Sequence, residues 1–160
     1  MAINHKPPEL LESGIDFNNK EAVQNKLKQY EEIIVDESIE NAIVITKNGE
    51  VYRCYGALNR VYPDIDLGDK LYGASVTHNH PECSIGEYTF SDADINLYLE
   101  YKLDVLRGID KRYVYELTRD AGKIDSYLEL HEMTEYDGAH NFVIRDAMLY
   151  GIGYRRWSRE

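Results

Sequence analysis

Hydrophobic positions fall into a few strongly periodic stretches. Val23, Leu27 and Tyr30 recur at helical spacing, and Asn18 with Glu21 three residues on resembles a capping box, so a helix is predicted from that point. Lys20, Lys26, Lys28, Glu31 and Glu32 form its solvated side. Ala42–Thr46 and Val51–Tyr55 are β-rich runs around Lys47-Asn48-Gly49-Glu50, the pattern of a hairpin closed by an Asn-Gly turn. Gly73–Thr77 is small, apolar and β-branched, a buried strand that runs into His78. Ile95, Tyr98, Leu99, Leu103 and Leu106 share one helical face, which predicts a helix capped by Ser91 and ended by Gly108. Arg112–Thr118 alternates as a strand, Asp120–Lys123 turns the chain, and Ser126–Leu130 is read as one more strand.

The ends and connections are less regular. Residues 1–16, with Pro7-Pro8 and no period, read as an arm laid on the domain or left mobile, ahead of a single domain over 17–160. Asn59–Lys70 is a connection with a short helical turn, and its aspartates lack a calcium-loop pattern. Phe142, Ala147, Met148 and Leu149 predict a helix near 139–150, with an irregular tail over Gly151, Gly153 and Arg155-Arg156-Trp157. The order helix, hairpin, strand, helix, strand gives an α+β class, a mixed sheet covered by helices, and no repeat or linker divides it.

Charge narrows the function classes. A net charge of −11 and a pI near 4.9 argue against affinity for nucleic-acid phosphates or anionic membranes and favour a basic protein partner. Fourteen tyrosines against three phenylalanines imply many half-buried phenols. Cys54 and Cys83 are too few for a disulfide framework, and no apolar run suits a signal sequence or a membrane span, so a cytoplasmic setting is expected. Nothing in the pattern speaks to oligomeric state.

The chemistry concentrates in Val76-Thr77-His78-Asn79-His80-Pro81 and the following Ser91-Asp92-Ala93-Asp94. Alternate strand residues share a face, so His78 and His80 point the same way at the spacing of two ligands to one ion. Asp94 falls in the first turn of the next helix, where its carboxylate can face back to the strand end. Two imidazoles and one carboxylate with a free position form the donor set of a catalytic zinc. The plainer alternative is that Ser91 and Asp94 only cap a helix, which leaves the paired histidines unexplained. Cys83 would be a further ligand or a loop thiol, and His131 and His140, without partners at ligand spacing, are read as surface or packing residues.

His-Asn-His-Pro followed by Ser-x-x-Asp resembles the JAMM signature of JAB/MPN zinc metallopeptidases, with wording close to the RadC-like bacterial branch. The likeness implies a curved sheet between helices, zinc bound by His78, His80 and Asp94, and Ser91 supporting the oxyanion. It also implies a general-base glutamate on an earlier element. Glu40, just ahead of an apolar strand, matches that position, and Glu37 is its nearest rival. Pro81 to Phe90 is longer than the family's usual spacer, and this loop is expected to border the substrate. The implied activity is cleavage of a peptide or isopeptide bond in a protein or peptide substrate, including removal of a ubiquitin-like modifier. A non-catalytic JAB/MPN-like binding or scaffolding module and a RadC-like role in DNA transactions are the alternatives.

Overall fold

In the computed structural model, which describes residues 5–58, 60–81, 88–127 and 137–159, the strands join in one sheet. In chain order the elements are β1 (Glu9–Glu12), α1 (Lys20–Ile34), β2 (Asn41–Ile45), β3 (Val51–Tyr55) and α2 (Pro63–Leu67), the last followed by a 3₁₀ turn over Gly68–Leu71. Then come β4 (Ser75–Asn79), α3 (Asp92–Glu100), β5 (Val105–Ile109), β6 (Tyr113–Thr118), α4 (Asp137–Tyr150) and β7 (Gly153–Ser158). The strand order is β1-β3-β2-β4-β5-β6-β7. β4 and β5 run parallel and the other neighbours antiparallel, so the sheet is mixed and the class α+β.

Side-chain alternation divides the core between the two faces of the sheet. Ala42, Val44, Val76, Leu106, Tyr115, Leu117 and Tyr154 pack with Ile95 and Tyr98 of α3 and Val143, Ile144 and Ala147 of α4. Ile43, Ile45, Val51 and Val105 pack instead with Val23, Leu27, Tyr30 and Ile34 of α1. Each fully buried aliphatic side chain contributes roughly 1.5–3 kcal/mol. All five residues of β2 and of β4 are buried, because helices cover both faces there.

Several expectations are corrected. The cap of α1 is Asn19, whose side chain accepts from the Ala22 amide, rather than Asn18. The predicted long helix ends at Glu100: Lys102 takes a left-handed backbone, and Val105–Ile109 becomes β5 with Gly108 inside it. Leu103 and Leu106 prolonged the helical period only because both are buried, one in the connection and one in the strand. The tail is no irregular segment but β7, an edge strand paired along β6. Its arginines are paired, Arg155 3.5 Å from Glu116 and Arg156 2.5 Å from Asp137. Ser126 and Tyr127 carry no strand pairing, and residues 128–130 lie outside the described residues. The arm is laid on the domain, with Glu9–Glu12 paired to β3.

Candidate metal centre

β4 is the middle strand, and its end carries the centre. Across the ladder His78 is level with Ala42 of β2 and Gly108 of β5, two residues too small to cover it. His80 continues the ladder, its amide donating to the Ile109 carbonyl at 2.9 Å, so it stays on the face of His78. A parallel β4–β5 pair needs a crossover, and α3 supplies it. The helix runs back along the sheet, so its first turn returns to the end of β4 and brings Asp94 to the histidines.

A capping box holds Asp94 there. The Ser91 amide donates to Asp94 Oδ2 at 2.9 Å, and the Asp94 amide donates to Ser91 Oγ at 3.2 Å. The same carboxylate faces the imidazoles, with Oδ1 3.3 Å from His78 Nε2 and Oδ2 3.4 Å from His80 Nε2. Capping therefore does not exclude ligation, because the capped carboxylate still faces the imidazoles. The Ser91 hydroxyl, serving as acceptor, has no acceptor for its own proton among the described hydrogen bonds.

His78 Nε2 and His80 Nε2 stand 2.9 Å apart, and donor atoms of His78, His80 and Asp94 all lie within 4.8 Å of one another, so the three can hold a metal ion. His78 Nδ1 is 2.8 Å from the Arg107 carbonyl, which can only accept, so Nδ1 carries a proton and Nε2 faces the centre. Burial works against charge on His78, yet Asp94, Glu40 and that carbonyl outweigh it and push the imidazole up to about 9. Burial would likewise raise Asp94, but the two histidines hold it well below the usual carboxylate range.

Glu40 joins the group without belonging to it. Backbone bonds to Ala57 and Gly56, each 2.8 Å, extend the β2–β3 pairing to Glu40, and alternation puts its side chain on the face of Ala42 and His78. Its Oε1 lies 3.9 Å from His80 Nε2. Burial raises its pKa, while the histidines pull the other way and do not cancel it. Glu37, by contrast, accepts from Arg53 at 3.1 Å and is 42% exposed.

Three contributors escaped the sequence reading. Asn79, between the histidines and pointing to the opposite face, accepts from the Asn41 amide at 2.6 Å and donates to the carbonyls of Ile39 and Glu37. It thereby pins the segment that carries Glu40. Tyr115 places its hydroxyl 2.7 Å from His80 Nδ1, and Phe90 stacks at 6.2 Å on His78. The one available signal was period two: Tyr115 alternates with apolar neighbours on an inward face, which marks burial but not the target of its hydroxyl.

Of the other titratable groups, His140 is a packing residue, buried with Nδ1 2.8 Å from the Tyr154 hydroxyl. Burial and then Arg156 lower it to about 4. Cys83, His131 and residues 82–87 of the expected substrate loop lie outside the described residues. Among the described residues no helix is long and apolar enough to cross a membrane. No protein-family model, no curated protein and no solved structure matches the chain, so the chemistry of the centre rests on its own residues.

Proposed function

We propose that the protein is a JAMM-type zinc hydrolase that cleaves a peptide or isopeptide bond. The observation that carries this reading is the meeting of His78, His80 and Asp94 with a buried, non-ligating Glu40 within 3.9 Å of His80. Nitrogen and carboxylate donors suit zinc, and three protein ligands leave a position open. His78, His80 and Asp94 would hold the ion, which when bound supplies Lewis acidity to an amide carbonyl and to water.

The chain's own residues supply the rest. Glu40 accepts the proton of the attacking water and returns it to the departing nitrogen, a role that its burial and raised pKa favour. Asn79 keeps Glu40 in place through the backbone on either side of it. The Ser91 hydroxyl, already fixed as acceptor, keeps one proton to donate to the carbonyl oxygen as negative charge develops there. The substrate is a protein or peptide chain, and the acidic surface favours a basic one.

Purified protein should contain about one equivalent of zinc, as a single three-ligand site requires. Glu40→Gln should slow amide hydrolysis about 10²–10⁴-fold with zinc content unchanged, and Glu37→Gln should do much less. Protein that takes up no zinc would sink the reading. A silent Glu40→Gln in an enzyme that does hydrolyse amides would remove Glu40 as the base.

A further inference from the structure

Asp110 ends a row of groups that begins at the centre. Continuing the β4–β5 register by one step beyond Asn79↔Ile109 sets His80 beside Asp110. The Tyr115 ring, level with Gly108 in the β5–β6 register, lies so close over that glycine that an added Cβ would come within 2.1 Å of the ring. Only glycine lets the ring lie there, and the ring brings its hydroxyl to His80 Nδ1 at 2.7 Å.

The Asp110 carboxylate is divided in its bonding. Oδ1 accepts from the amides of Arg112 and Tyr113 at 2.7 and 2.8 Å. Oδ2 is buried with no hydrogen-bond partner among the described residues, although the side chain interacts with the Tyr115 hydroxyl. A buried carboxylate oxygen without a donor costs free energy and calls for an explanation.

We infer that Asp110 and Tyr115 form a hydroxyl relay that orients His80 for ligation, with Asp110 Oδ2 as the acceptor used in the metal-loaded protein. This rests on the zinc reading of the centre. When His80 Nε2 is committed to a cation, its ring proton resides on Nδ1 and must donate to the Tyr115 oxygen. The phenolic proton then turns away from His80, and Asp110 Oδ2 accepts it. Without a cation the phenol donates to Nδ1 instead, and Oδ2 is left over. Nothing moves but a hydroxyl proton and the tautomer of one imidazole. Tyr115 and Asp110 are thus positioning residues, acting on zinc through His80.

Zinc affinity measured by chelator competition tests this without any substrate. Tyr115→Phe keeps the packed ring and should weaken binding about 10–100-fold, the usual effect of removing the partner of a metal-ligating histidine. Asp110→Asn presents an amide donor in place of an acceptor and should weaken binding in the same direction. In zinc-loaded wild type the His80 Nδ1 proton should give a slowly exchanging resonance in nitrogen-edited NMR, and Tyr115→Phe should abolish its protection. That signature would be unaffected if Tyr115 served only to fill space. Wild-type zinc affinity in both variants, or a protected Nδ1 proton without the hydroxyl, overturns the relay and leaves the zinc reading standing. Wild type that binds no zinc overturns both.

Discussion

Two neighbouring rows of residues run across the same strands and face opposite ways. On the α1 side, Thr77, Arg107, Glu116 and Arg155 are successive partners across β4 to β7. On the other side, one residue along each strand, lie His78, Gly108, Tyr115 and Arg156. Both rows bury charge, but only the first is complete in itself. Arg107 grips Glu31 with two bonds of 2.7 and 2.9 Å, reaches Glu116 at 3.0 Å, and stands 5.2 Å from the Trp157 ring. Thr77 adds a bond of 2.6 Å to Glu31.

Around His78 in the second row, two imidazole nitrogens converge with the half-buried Asp94 carboxylate and the buried Glu40, and no arginine or lysine is among them. A cluster whose charges cancel locally holds a fold together; one whose acceptors converge has room for a cation. Burial alone does not distinguish the two. The sign and direction of the donors do.

The largest break in this comparison should come from Arg107→Met. It leaves Glu31 buried without a cation and Glu116 with only Arg155 at 3.5 Å, at a cost of about 3–5 kcal/mol in denaturant unfolding. Molecules that remain folded should bind zinc with the wild-type Kd. A weakened Kd at equal folded fraction would mean that the two rows are coupled through β4.

Asp94→Asn keeps an oxygen for the Ser91 cap but removes the charge that faces the histidines. Zinc affinity should fall at least about 100-fold, roughly 2.7 kcal/mol, read by chelator competition. An unchanged affinity would reduce Asp94 to a helix cap.

The smallest effect, taken per pH unit, is a pH dependence. Without metal, the folded pKa of His78, about 9, lies above its ordinary 6.5. Its charge therefore stabilises the metal-free fold fully below pH 6.5, and that contribution is lost as pH rises through 9. Metal must displace this proton, so affinity runs the other way. The apparent zinc Kd should tighten about tenfold per pH unit between 6.5 and 9, then level off. A Kd that is flat with pH would show that His78 is neutral before metal arrives.

Much of this was legible along the chain. β-branched and apolar runs placed β2, β3 and β4, alternation placed β6, and the His-x-His spacing put two imidazoles on one side of a strand because strand geometry admits no other arrangement. The paired histidines, Asp94 and the Ser91 cap were local features, and local features are what a one-dimensional pattern records. β5 and β7 were not legible. Arg107 and Gly108 interrupt any alternation, and the arginines of β7 look solvated until Glu116 and Asp137 are seen across from them. Only the tertiary structure decided that Glu40, ahead of β2, meets His80 while Glu37 is held by Arg53. The same is true of Tyr115, whose hydroxyl reaches His80 over a glycine on the intervening strand. The two contacts with His80 join residues more than thirty positions apart, and strand pairing, which no local spacing encodes, is what brings them within reach.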